Sequence, residues 1–374
     1  MKIPLIALLL LCSIPSNSVA QDAVDRSLPG LGSYSGGDVL DAVSDIRFEL
    51  TGNNTPFRRL SIDDSGRIIA FRWYYNLPYG GEIYFPEQEK WGSVQDLHPA
   101  AKSFIGKSSN VEQVGPGASF IGFREYLTRA FVAKERILRI ETASNSATNF
   151  SSNGRFFFST DQRMGRLAAR EQKVVHQLRV TDLQTGQTVK GELPVDASIS
   201  NREFAYSPES KTLYTSLDRP SGSGLFEIAA AGHNGPGKSG FSVKRIGESK
   251  AAPNRLHLRN ADQKLVVIDS DTLIILDAEN GNEETRCNLI GAIHSVSPNG
   301  KWVASSTGTS LFLTRLMPPF ESYNLAFKER QAGIALQAQP VWSPDSARLA
   351  CIMNCELLGH NYAQFLAWRI PQRR

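Results

Sequence analysis

Ser297-Pro298-Asn299-Gly300-Lys301-Trp302-Val303-Ala304-Ser305-Ser306 reads as a tight turn followed by a short buried strand. Pro298 presets the first turn position, Gly300 closes the turn, and the apolar run behind it has strand character. The same pattern recurs along the chain. Asp63-Asp64-Ser65-Gly66-Arg67 precedes Ile68-Ile69-Ala70-Phe71, and Ser151-Ser152-Asn153-Gly154-Arg155 precedes Phe156-Phe157-Phe158. Ser207-Pro208-Glu209-Ser210-Lys211 and Ser343-Pro344-Asp345-Ser346 are further copies, and Asn260-Ala261-Asp262-Gln263-Lys264 is a degraded one.

With Gly66, Gly154, Ser210, Gln263, Gly300 and Ser346 as anchors, the intervals are 88, 56, 53, 37 and 46 residues. The first is twice the length of a unit, so a hidden copy is expected near residue 110, including 118–123 and 137–140, with its turn eroded. Seven units of about 47 residues each match four-stranded propeller blades. A second mark recurs in the same phase. Leu178-Arg-Val-Thr-Asp182-Leu-Gln-Thr-Gly186 and Leu273-Ile-Ile-Leu-Asp277-Ala-Glu-Asn-Gly281 each read as a strand ending in a glycine hairpin, the third-to-fourth strand turn of a blade.

Together the two marks resemble the WD40-like (TolB-type) β-propeller repeat family over residues 57–370. The resemblance implies an all-β, seven-bladed propeller and brings no catalytic residues with it. The last unit runs out of chain one strand short. Asp45-Ile46-Arg47-Phe48-Glu49-Leu50 alternates as a strand does, and residues 45–50 are expected to pair with 363–370 and close the ring.

Residues 1–20 have the form of an export signal: Lys2, an apolar run through Leu11, and Ser18-Val19-Ala20, with cleavage expected after Ala20. Residues 21–44 form an N-terminal extension, and 45–374 a single propeller domain. The expected destination is periplasmic or secreted. No later apolar run is long enough for a membrane-spanning helix. The net charge of +4 is too small to draw nucleic acid or a membrane surface by itself. Three cysteines follow the signal, so at least one thiol stays unpaired in an oxidising compartment; Cys351 and Cys355 could pair if the chain turned between them.

Gly232-His-Asn-Gly-Pro-Gly237-Lys238-Ser239 spells out a phosphate-binding loop. Such a loop needs a strand before it and a helix after it. Here Phe241-Ser-Val-Lys-Arg-Ile246 alternates like a strand, so the glycines read as an enlarged third-to-fourth strand hairpin. No nucleophile elbow and no zinc or calcium motif is present, and neither cofactor nor metal is expected. His257 and His294 share a column with Phe204, which reads as a packing position.

The second-to-third strand connections differ in length. Those at 269–271 and 307–309 are minimal, while 73–80, 161–173, 217–224 and 354–362 read as long loops on the face opposite the opening turn. Binding residues concentrate on such loops, and Trp, Tyr and Arg are common anchors. Trp73, Tyr75, Tyr79, Arg163, Arg166, Arg219 and His360 are therefore the candidate ligand- or partner-binding residues, with a protein partner expected. The reading is a binding or scaffolding module; the alternative is a lactonase-like or glycan-active hydrolase using the central channel.

Overall fold

The structure is a computed structural model. It describes residues 39–50, 57–72, 82–103, 110–125, 128–133, 136–141, 147–151, 154–166, 172–193, 198–219, 224–230, 241–246, 253, 255–308, 310–318, 320–326, 335–336, 339–357 and 360–371. They form seven sheets of four or five strands, antiparallel but for one edge strand, one per repeat, arranged as a seven-bladed β-propeller. The hidden second unit is a full blade, with strands Asn110–Val114, Ile121–Glu125, Thr128–Ala133 and Arg136–Glu141.

Burial explains the sequence texture. The middle strands of a blade are covered on both faces by neighbouring blades, so they read as unbroken apolar runs. Lys264–Asp269 and Thr272–Asp277 each bury four consecutive apolar residues, whereas the outermost strand of that blade, Glu283–Asn288, is mostly exposed. Seven apolar clusters follow, each straddling one junction between adjacent blades.

The opening turn has one geometry in blades 3, 6 and 7. Gly300 N–H donates to the Ser297 carbonyl at 2.8 Å, and Ser297 N–H to the Trp302 carbonyl at 2.9 Å. The Ser297 hydroxyl accepts from Trp302 N–H at 3.0 Å. Ser343 makes the same bonds to Ser346 and Arg348, and Ser151 to Gly154 and Phe156. Blade 2 also has the turn, built on Gly115-Pro116-Gly117-Ala118. Gly115 lacks the capping hydroxyl, and Ser61 of blade 1 lies there instead, donating to the Gly115 carbonyl at 3.1 Å and accepting from Ala118 N–H at 2.8 Å. The signal is eroded because position 115 has no side chain to cap its own turn, and Ser61 bonds other groups of it from blade 1.

The positive φ of this turn does not by itself demand glycine, since Lys211, Gln263 and Ser346 adopt it at 55°, 53° and 61°. Glycine stands where the adjacent blade comes close. A Cβ on Gly154 would lie 2.2 Å from the Pro116 ring, and one on Gly300 2.8 Å from the His257 imidazole. Gly154→Ala is therefore expected to cost about 3 kcal/mol, and Gly308→Ala, at φ 95° with open space around it, only about 1–2 kcal/mol. Urea denaturation of the two variants checks the difference.

The N-terminal segment closes the ring as expected. Ser44–Glu49 pairs antiparallel with the last strand, from Ser44 opposite Ala367 to Glu49 opposite Tyr362. Just before it, Val39–Asp41 pairs in parallel with Ser322–Ala326, the outer strand of blade 6. The extension thus clasps two blades. Trp368 supports it by donating its indole N–H to the Ala326 carbonyl at 3.1 Å.

Two of the expected long loops are strands. Phe156–Arg166 and Gln172–Asp182 pair without interruption to Arg166 opposite Gln172, so most of 161–173 is hairpin. Arg348–Leu357 pairs with His360–Arg369 out to Leu357 opposite His360, which does the same for 354–362. Length of connection had been taken for loop, although Met353-Asn354-Cys355-Glu356-Leu357 keeps strand alternation. Cys351 and Cys355 consequently lie on one strand with no turn between them, and both are buried, as is Cys287. Burial pushes the Cys351 thiol far up and the Cys287 thiol up to about 11.

Candidate functional site

The seven candidate residues from the sequence divide into three groups. Trp73, Tyr75 and Tyr79 lie outside the described residues, as does the 232–239 glycine stretch. Arg163 and Arg166 are on the second strand of blade 3, in the part of the hairpin beyond its flanking strands. Arg219 and His360 are described in full. The Arg219 guanidinium sits 6.0 Å over the Phe226 ring of blade 4. His360 is exposed and its Nδ1 lies 2.8 Å from the Glu49 carboxylate, at the tip of blade 7. Blades 4 and 7 stand three apart in a ring of seven, so these two residues are not brought together.

The flanks of the glycine stretch are Gly224–Ala230 and Phe241–Arg245, antiparallel neighbours with Ala230 opposite Phe241. They are the third and fourth strands of blade 4, and no helix follows to aim a dipole at phosphate.

The innermost strands meet around a central channel, and here the structure gathers residues that the sequence reading passed over. A cavity of about 240 Å³ is lined by innermost-strand and turn residues of all seven blades. In its wall Arg255 of blade 5 donates from Nη1 to Glu203 of blade 4 at 2.9 Å. Glu203 also accepts from the Asn149 side chain of blade 3 and the Leu256 backbone N–H. Arg255 Nε donates to the His294 carbonyl of blade 6 at 3.2 Å, and Gln339 of blade 7 donates to the same carbonyl. One polar belt therefore joins blades 3 to 7 across their inner edges. Burial raises the Glu203 carboxyl above its usual range, against the pull of Arg255 and its hydrogen bonds. The available signal was a charged residue in a strand otherwise facing the core. It went unused because Glu203 and Arg255 acquire meaning only from their pairing across two blades.

Next to this cavity is a second, of about 310 Å³, bounded by the turns of blades 5 and 6 and sharing Ser151 and Pro298 with the first. His257 is in its wall. His257 and His294 occupy one column, three residues before their turns, and both are buried. Burial, with the nearby Arg259 charge, lowers the His257 imidazole to about 4. His294 is lowered by burial too. Both rings are neutral at pH 7. The sign follows directly: an imidazole that titrates at 6.5 when unfolded and about 4 when folded gives stability that is full above 6.5 and lost as pH falls to about 4. His257→Leu is expected to flatten about 3 kcal/mol of that decline, read from urea denaturation midpoints across the window. Among the described residues, no three His, Cys, Asp or Glu side chains gather as a metal-binding set.

These features define a seven-bladed β-propeller with a polar belt in its channel. No protein-family model matches the chain, and no curated protein matches it. Among solved structures, the WD40 domain of Pan2 from Neurospora crassa is similar, at 11% identity over 88% of this chain and 97% of that chain, with a TM-score of 0.48.

Proposed function

We propose that this chain is an exported propeller of the WD40-like, TolB-type kind, and that it binds a protein partner on the face carrying the long second-to-third strand connections. The observation that carries the reading is the unevenness of that face. Blades 5 and 6 end low, with connections at 269–271 and 307–309 between strands of five or six residues. Blade 3 sends up two strands of 11 residues. Among the described residues their flanking strands pair with 157–160 and 177–181, leaving 161–166 and 172–176 as a two-stranded ribbon about 20 Å long. A ribbon whose edges pair with no other strand among the described residues suits strand addition by an extended segment of another protein. Arg163, Arg166 and Lys173 give it a positive charge that favours an acidic segment.

The export reading rests on Lys2, the apolar run behind it and Ser18-Val19-Ala20. Sequencing the N-terminus of protein recovered from its native compartment is expected to begin at Gln21. Partner capture is tested by affinity purification from that compartment, wild type against a Trp73→Ala/Arg166→Ala double variant. Loss of a partner supports the long-loop face, and identical partners at equal yield remove it as the site.

A further inference from the structure

The channel cavity is on the axis, lined in part by the opening turns, and its chemistry differs from that of the outer ribbon. Its polar wall carries four planar side chains, Asn149, Glu203, Arg255 and Gln339, beside Ser61, Ser151 and Ser295. The charges of Glu203 and Arg255 cancel locally, so an ionic ligand gains little net attraction there. What the pair presents instead is an acceptor beside a donor. Vicinal hydroxyls, each able to donate and to accept, complement such a pair. The opposite character is supplied by Phe120 and Phe150, whose rings stack at 5.4 Å with 22° between planes and which also line the cavity. A pyranose has both faces of this chemistry, hydroxyls at its rim and an apolar C–H face. The volume of about 240 Å³ is below that of a drug-sized pocket and suits one ring. The site is already formed: the Arg255 side chain is 38% exposed, and is held in place by the Glu203 and His294 bonds.

We propose that the channel binds one uncharged pyranose unit, with Glu203 and Arg255 bonding adjacent hydroxyls and the Phe120–Phe150 wall covering the ring face. The unit is a free monosaccharide or the end of a glycan chain. This goes beyond partner binding on the outer face and stands or falls separately from it.

Trp342 supplies the readout. It lines the same cavity and its indole N–H donates to the Ser295 carbonyl at 3.2 Å. Mature protein labelled with ¹⁵N at tryptophan is titrated with glucose, N-acetylglucosamine, a trisaccharide of each, and acetate, with Trp342→Phe assigning the signal. At least one sugar is expected to move the Trp342 indole resonance saturably, with a dissociation constant of about 1 mM. A response to the monosaccharide alone identifies a free sugar, and a response to the trisaccharide as well identifies a chain end. Arg255→Lys and Gln339→Ala are each expected to weaken binding about fivefold, while the remaining indole resonances report an intact fold. No saturable movement with any sugar, or movement with acetate alone, overturns the proposal. So does binding that both variants leave unchanged.

Discussion

Removing residues 21–50 is expected to lower the melting temperature by about 10 °C and to promote self-association. The segment supplies the outer strand of blade 7 and the parallel fifth strand of blade 6. Ile46, Phe48 and Leu50 pack on the junction of blades 7 and 1, and Leu40 and Ala42 on that of blades 6 and 7. Phe48 is the centre of this packing, with ring centroids 5.6 Å from Phe57, 4.9 Å from Tyr84 and 5.7 Å from Trp91. Half-buried apolar residues of this size contribute about 1–2 kcal/mol each. At roughly 2 cal/mol/K per residue, a domain this large loses between one and two degrees per kcal/mol. Phe48→Ala alone is expected to cost about 2–3 kcal/mol, because the site cannot collapse around the missing ring. A truncated protein that melts within about 2 °C of the intact chain would show the strand to be dispensable.

The second large effect is expected in the channel. Arg255→Ala leaves the Glu203 carboxylate in a site where its side chain is only 16% exposed. Breaking a fully buried pair costs about 3–5 kcal/mol; with Arg255 itself 38% exposed, about 2–3 kcal/mol is expected here. Glu203→Gln keeps the shape and removes the charge, and is expected to cost about 1 kcal/mol. Acidity separates the two. The Glu203 carboxyl is raised from its usual 4.5, so its contribution is present below 4.5 and is lost as pH rises through the folded value. Without Arg255 that value rises further and the decline extends towards neutrality. Relative to wild type, Arg255→Ala is thus expected to be more destabilised at pH 7.5 than at pH 5, and Glu203→Gln to show the reverse. Equal differences at both pH values would mean that water screens the pair.

Most of the ring was legible because it rests on local chemistry. Pro298, Asn299 and Gly300 announce a turn whatever surrounds them, and six such turns set the phase. Even the closing strand could be read, since 45–50 alternates and blade 7 lacked an edge. What stayed hidden depends on contacts between blades. The blade 2 turn was faint because Gly115 carries no capping hydroxyl, and the hydroxyl that bonds the turn, that of Ser61, is more than fifty residues earlier. The hairpins at 161–173 and 354–362 passed for loops because spacing was read before alternation. The channel belt was missed altogether. Asn149, Glu203, Arg255 and Gln339 have no common motif, and their strands are adjacent only once the ring is formed.

The clasp has a bearing on how the molecule is made. Ser44 pairs with Ala367, so a residue near the start of the described chain waits for a strand about 320 positions later. Contacts of such separation are costly to form and come late in folding. Until Ile370 is available, the first blade lacks the Phe365 wall against which Phe57 packs, at 5.1 Å between ring centroids. A chain that emerges from its N-terminus thus cannot complete its ring before the C-terminal strand has followed. The clasp ties closure to completion of the chain: the ring stays open until the last strand arrives and is locked by it.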